Sequence, residues 1–375
     1  MLGLVVLSLW LRWAECIQKN ILMIIVDDLR PELGCYYTPG SPFHGNMHTP
    51  NIDQLASRSV LFQEAYVQYP LCSPSRSSLF TGRRPDTVKV YSNAIYWRET
   101  GGNFTSFPQY LKQNGYTVLA TGKMLPKSSN VMQDPISWTR PVDVPRNISV
   151  IRGTKSRTQT FTDNSAYLRD MGVADKAKEF MNEIASGESK PFFLGVGFYK
   201  PHLPWVFPDR YLQYYPEEDI ALPSNPYPPE NMPDIAWTGH AAIFNKKYKD
   251  IVALNISGDQ RSSSDLPDEV VRQLKRSYCS SISYIDDLVG DIVKHLEHTK
   301  LANDTIIAFM SDHGWHLGEH GRWGKATSFH LNTRTPLMIH IPGVTDKGDV
   351  THGKVEFVDI FPTLLEAAGV EAIPK

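Results

Sequence analysis

Asn20-Ile21-Leu22-Met23-Ile24-Ile25-Val26 runs directly into Asp27-Asp28. Six consecutive apolar residues closed by charge read as a short strand buried on both faces, the pattern of a parallel sheet. The same unit recurs along the chain. Tyr116-Thr117-Val118-Leu119-Ala120 ends in Thr121-Gly122-Lys123, and Phe192 to Phe198 ends in Tyr199-Lys200-Pro201-His202. Thr305 to Met310 ends in Ser311-Asp312-His313-Gly314, and Leu337 to Ile341 is one more strand. Helices are expected between them. One opens at Thr49-Pro50, one spans Phe107 to Asn114 before Gly115, and one covers Asp175 to Ile184. Ile285, Leu288, Val289, Ile292, Val293 and Leu296 mark another by their spacing, and Ile360 to Ala368 starts the last. Strands alternating with helices predict an α/β fold, a mostly parallel central sheet flanked by helices. Ligands bind beyond the carboxyl ends of the strands in such sheets, so the four polar sets are expected on one rim. Leu125 to Thr162 and Leu203 to Pro233 lack a period and read as long surface loops, the first as a wall of the cleft.

The composition sets limits. The 375 residues are 41% hydrophobic and 21% charged, ample for a sizeable core. A net charge of −2 provides no basic field for nucleic acid. Arg83-Arg84 is either a docking point for an acidic polysaccharide or a solvated pair. Leu2 to Leu11 is apolar but too short to span a bilayer, and no other stretch is a membrane span. With Ala14-x-Cys16 behind it, residues 1–16 read as a signal peptide, although Arg12 follows the apolar run instead of preceding it. Four sequons, at Asn103, Asn147, Asn255 and Asn303, fit glycosylation in the secretory pathway. Cys35 and Cys279 are available to pair, and Cys16 is expected to leave with the leader or begin the mature chain.

Cys72-Ser73-Pro74-Ser75-Arg76 is followed by Ser77-Ser78-Leu79-Phe80-Thr81-Gly82-Arg83. Ser73 is expected to cap a helix, Pro74 to occupy its first position and Gly82 to end it. Cys72 would then lie at a helix N-terminus, where the dipole lowers a thiol pKa, with Arg76 one turn on. That is an anion site holding a reactive sulfur, or else a small buried cysteine beside a surface arginine. The residues by themselves leave both open.

C-x-P-S-R followed by T-G-R resembles the signature of type I sulfatases. Val26 to Pro31, Thr81 to Thr87, Gly197 to His202 and Ser311 to Trp315 resemble the iduronate-2-sulfatase branch of that family. The resemblance implies an alkaline-phosphatase-like sulfatase fold. It also implies conversion of Cys72 to formylglycine by a formylglycine-generating enzyme. The activity implied is hydrolysis of the 2-sulfate of iduronate in heparan and dermatan sulfate, in the lysosome or after secretion.

Asp27, Asp28 and Asp312 are carboxylates that need a cation or a proton when held together, and hard oxygens suit Ca²⁺ or Mg²⁺. The resemblance implies one Ca²⁺ held by Asp27, Asp28, Asp312, His313 and the modified Cys72. Many sulfatases carry asparagine where His313 stands. It further implies that the hydrated aldehyde attacks sulfur and that Arg76, Lys123 and Lys325 neutralise the sulfate. His202 would protonate the leaving oxygen, and Trp315 would be a rim platform for the sugar. Lys123 matches the family's Gly-Lys motif, and Lys325 matches the lysine of Gly321-Arg322-Trp323-Gly324-Lys325. Two departures stand out. The family's histidine shortly after Gly-Lys is missing, since Gly122-Lys123 continues Met124-Leu125-Pro126-Lys127. The family's smaller C-terminal domain, which follows the Phe361-Pro362-Thr363-Leu364 helix, is expected to be absent or truncated, leaving 17–375 as the catalytic domain. Two alternatives follow: a catalytically impaired pseudo-sulfatase that binds sulfated glycosaminoglycans, and a phosphohydrolase of the same superfamily.

Overall fold

The computed structural model describes residues 18–40, 45–125, 134–145, 156–162, 166–187, 190–236 and 266–372. The leader (1–16), Asn147 and Asn255 lie outside the described residues. Asn103 and Asn303 are both exposed.

Alternation along the first strand, β1 (Asn20–Asp27), sets the layers. Leu22, Ile24 and Val26 enter one apolar cluster, while Ile21, Met23 and Ile25 enter the other on the opposite face. Side chains of successive strand residues point to opposite faces, so a run apolar at every position must be covered twice. Helices α1 (Pro50–Ala56), α4 (Arg169–Ser186) and α5 (Asp268–His298) supply residues to the first cluster. Helices α2 (Cys72–Thr81), α3 (Phe107–Gln113) and α6 (Ile360–Ala367) supply the second. Each fully buried Ile, Leu, Phe or Met of these layers contributes about 1.5–3 kcal/mol of transfer free energy.

The other strands are β2 (Val60–Tyr66), β3 (Thr117–Gly122), β4 (Thr158–Phe161), β5 (Phe192–Pro201), β6 (Trp205–Pro208), β7 (Thr305–Ser311), β8 (His316–Leu317), β9 (Trp323–Gly324), β10 (Arg334–Thr335), β11 (Leu337–His340) and β12 (Asp349–Glu356). The main sheet runs β10-β2-β11-β7-β1-β5-β3, with β12 also paired to β2. Pairings β1–β5, β1–β7, β3–β5 and β2–β12 are parallel, and β10 and β11 run antiparallel to their neighbours. The expected α/β fold with a mostly parallel sheet is what the chain forms. Register aligns the four polar strand ends: Val26 sits opposite both Phe198 and Ser311, and Gly122 opposite Gly197.

A described part of each long loop forms a strand. Thr158–Phe161 in the first pairs in parallel with Trp205–Pro208 in the second, making a small separate sheet. Cys35 and Cys279, considered as a pair, are both free thiols, as is Cys72. Among the described residues no helix is long and apolar enough to cross a membrane.

Candidate active site

Cys72 is the first residue of α2, and every residue of that helix is buried. Ser73 does not cap it. The residue before the helix is Leu71, in extended conformation and without a side-chain cap bond, so Pro74 falls third instead of first. A cap comes from elsewhere: the Ser73 N–H donates to Asn93 Oδ1 (2.9 Å), and Ser73 Oγ donates to the Ile95 carbonyl (3.1 Å). Gly82 ends the helix as expected, at φ 61° where a side chain would be strained.

The rim of the sheet closes around the Cys72 sulfur. Lys325 Nζ lies 3.2 Å from it, Lys123 Nζ 3.3 Å, His313 Nε2 3.4 Å and Asp27 Oδ1 3.5 Å. Lys123 also donates to Asp27 Oδ2, and Lys325 to Asp28 Oδ1 at 2.6 Å. Arg76 Nε donates to Asp312 Oδ2 at 2.8 Å, and its NH1 donates to the carbonyls of Lys123 and Met124 (the latter at 3.2 Å). Its NH2 is buried with no hydrogen-bond partner among the described residues, 4.0 Å from Asp27 Oδ1. Two glycines set the position of Lys123. A Cβ on Gly122 would lie 2.1 Å from the Gly197 carbonyl oxygen, and one on Gly197 would lie 2.1 Å from that of Lys123. The two strand ends therefore approach more closely than any side chain permits.

Three carboxylates (Asp27, Asp28, Asp312) face three permanent cations (Arg76, Lys123, Lys325). Burial pushes the Asp27 carboxyl up, but Lys123, with His202, Lys325 and Arg76, outweighs it and holds the carboxyl well below its ordinary range. Asp28 goes the other way, raised by burial and by the neighbouring carboxylates of Asp27 and Asp312 in spite of Lys325. The lowered thiol pKa expected at a helix N-terminus is not found. Burial and the Asp27 carboxylate push the Cys72 thiol up to about 12, against Lys123 and Lys325. Desolvation outweighs the helix dipole here.

A sulfatase family model matches residues 19–370 of this constellation's chain.

The chain belongs to the sulfatase family.

Iduronate 2-sulfatase of Mus musculus is 39% identical to this sulfatase, covering 95% of this chain and 70% of that protein. The Homo sapiens iduronate 2-sulfatase is 38% identical with the same coverage. Among solved structures, phosphonate monoester hydrolase of Agrobacterium radiobacter superposes with a TM-score of 0.70 at 21% identity, covering 94% of this chain and 74% of that one. A 2-O GAG sulfatase superposes with a TM-score of 0.64, also at 21% identity, over 95% and 72%. The last two are likenesses of fold.

The donor set of the sulfatase could hold a metal ion. Ligand atoms of Asp27, Cys72, Asp312 and His313 lie within 4.8 Å of one another, all buried. Asp28 Oδ2 is buried with no hydrogen-bond partner among the described residues, a lone pair left for a ligand. Carboxylate oxygens of this kind are what Ca²⁺ and Mg²⁺ take. His313 Nε2 stands 3.5 Å from both Asp28 Oδ1 and Asp312 Oδ1, so the imidazole adjoins the carboxylate group.

His202 is half-buried at the end of β5. Its Nδ1 is 2.6 Å from the Leu203 carbonyl, which can only accept, so Nδ1 carries a proton. One of its ring nitrogens lies within 4.8 Å of carboxylate oxygens of Asp27 and Asp28. With Nδ1 committed to Leu203, Nε2 is the atom available to the site. Lys200 donates to the His202 carbonyl, and burial lowers its ammonium to about 8 in spite of Asp170. Asp170, in the first turn of α4, accepts from the Tyr199 N–H at 2.6 Å and braces that strand end.

Trp315 is not a rim platform. It is 1% exposed, with Lys325 Nζ 5.8 Å from its ring centroid, so its faces are occupied by protein. The positions that sequence reading missed are those that hold others: Asn93, Asp170, Ser75, whose Oγ donates to the Asp312 carbonyl (2.5 Å), and Ser311. Asn93 and Asp170 sit in no motif. Ser75 and Ser311 lie inside quoted motifs, and their adjacency to Arg76 and Asp312 was the available signal.

Proposed function

We propose that this sulfatase removes the 2-sulfate from iduronate residues of heparan and dermatan sulfate. The observation that carries the chemistry is the Cys72 sulfur within 3.5 Å of two ammonium groups, an imidazole and a carboxylate. The substrate rests on the two iduronate 2-sulfatases, each aligned over 95% of the chain. Matured to formylglycine, position 72 would supply a hydrated aldehyde as nucleophile, and a calcium ion held by Asp27, Asp28, Asp312 and His313 would supply acidity for it.

The remaining roles belong to the protein's own side chains. Lys123 and Lys325 flank the position of the reacting oxygen and bind sulfate oxygens as charge builds on them. Arg76 acts mainly through Asp312 and the backbone of Lys123, and its NH2, 4.0 Å from Asp27 Oδ1, is the group it can turn to the ester. His202, fixed through Nδ1, presents Nε2 to the leaving sugar oxygen; it gives up a proton there only from its doubly protonated form, which burial disfavours and the Asp27 carboxylate favours. The three carboxylates already balance the three cations, so a bound dication gives the rim net positive charge, which favours an anionic ester. The compartment we propose is the lysosome, reached through the secretory pathway, on the reading of residues 1–16 and the sequons.

One observation favours a second reading, a pseudo-sulfatase that binds sulfated glycans without turnover. Met124 and Leu125, directly after Lys123, are buried apolar side chains where the family usually turns toward a histidine. Peptide mass spectrometry across Cys72, on protein from a secretory cell, combined with sulfate release from a defined 2-sulfated iduronate disaccharide, separates the two. Aldehyde or hydrate at position 72 with release supports the hydrolase. Aldehyde with tight disaccharide binding and no release supports the binding protein, and an intact thiol rules out the formylglycine mechanism.

A further inference from the structure

The turn carrying Asp27 and Asp28 is held in an unfavourable shape by side chains from distant segments. Asp28 has φ 65°, the left-handed region that a non-glycine residue adopts at a cost. Three successive N–H groups of the turn are each satisfied by a side chain. Asp28 N donates to Asp312 Oδ1 (3.2 Å), Leu29 N to Ser311 Oγ (3.0 Å) and Arg30 N to Tyr278 Oη (3.0 Å). The same Tyr278 hydroxyl donates to the Asp28 carbonyl at 2.7 Å, so one buried phenol closes both sides of the turn. Arg30, fully buried, pairs with Glu32 and reaches Glu319 Oε1 at 2.8 Å. Glu319 Oε2 accepts from the Leu317 N–H at 2.7 Å, and Lys325, six residues on, meets Asp28 at 2.6 Å. A loop from Asp28 through Arg30 and Glu319 to Lys325 thus returns to Asp28.

We propose that Tyr278 and the Arg30–Glu319 pair are positioning residues of the active site. Tyr278 holds Asp28 in its left-handed conformation, and Arg30–Glu319 sets the segment bearing Lys325 against it. The inference rests on the reading that Asp27 and Asp28 hold a divalent cation. Partners that orient ligands without touching the metal tune its affinity as the ligands themselves do.

The test is calcium binding by calorimetry to the full chain, with kcat and KM for sulfate release, in Tyr278→Phe and Glu319→Gln. Tyr215→Phe is the control. It too loses a buried phenol, one bonded to Ser283 Oγ of α5 (2.6 Å) and to His48 N (3.0 Å) and not to the Asp28 turn. Tyr278→Phe is expected to weaken calcium about tenfold and to lower kcat more than it changes KM. Glu319→Gln is expected to do the same to a smaller degree, and Tyr215→Phe to lose melting temperature alone. Equal calcium affinity and kcat in Tyr278→Phe, Glu319→Gln and the control would overturn the proposal. Failure of the unmodified protein to bind calcium would instead overturn the cation reading, and the proposal with it. If Tyr278→Phe does not fold, Glu319→Gln decides by the same comparison.

Discussion

Two groups of buried charges lie side by side in this molecule and differ in what they enclose. Around Cys72, a neutral thiol sits between two ammonium groups, with ligand atoms of Asp27, Asp312 and His313 within 4.8 Å of it. Around Arg30, Glu319 places one oxygen on the guanidinium and the other on a backbone N–H, and Glu32 takes a second face of the same arginine. The first group surrounds a position where a nucleophile can form, whereas the second surrounds a guanidinium held between two carboxylates. The difference separates chemistry from support without reference to any motif.

Breaking the group around Cys72 should have the largest effects. Cys72→Ala should abolish sulfate release while far-UV and near-UV circular dichroism stay native, and turnover retained by that variant would sink the mechanism. Lys325→Ala should lower kcat by about 10²–10³, the loss expected when one donor to developing charge is removed. A fall confined to KM would show that Lys325 only binds.

The group around Arg30 should respond in stability and to pH. Burial alone would raise the Glu319 carboxyl, but Arg30 and His316 hold it at about 2, below its ordinary 4.5. A depressed carboxyl contributes stability that is fully present above about 4.5 and is lost as pH falls through about 2. The stability difference between the parent and Glu319→Gln should therefore be flat from pH 5 to 8 and shrink below pH 4.5. A difference that changes between pH 5 and 8 would contradict this assignment, which leaves the support intact in an acidic compartment. An exposed pair sets the baseline. Arg84 NH1 donates to Glu356 Oε1 at 2.9 Å on the surface, and Arg84→Ala should move Tm by no more than about 2 °C and leave kcat unchanged.

The strands around the site were legible because each is a short apolar run ended by charge. β1, β3, β5 and β7 therefore emerge from the sequence together with the rim they form. β2 was missed because its buried face includes Gln63 among Leu61 and Ala65, so the alternation is disguised. β12 was missed because its residues are exposed or half-buried, so a strand paired to β2 carries no apolar run to read. The cap of α2 was misread because Asn93, twenty residues on, does what Ser73 was expected to do. Trp315 was misread because its neighbours in sequence reach the rim while its ring turns inward. The Arg30–Glu319 pair joins residues 289 positions apart, and no spacing rule reaches that far.

The contact between Gly122 and Gly197 carries its own consequence. Lys123 donates its N–H to the Gly197 carbonyl at 2.7 Å, and that approach exists only because both positions lack a methyl group. The ammonium beside the sulfur is thus gauged by main chain against main chain, insensitive to repacking of the apolar layers above and below. The sheet's interior can drift in sequence while this one spacing stays fixed, and a single carbon atom added at either glycine would detune the enzyme without altering any charge.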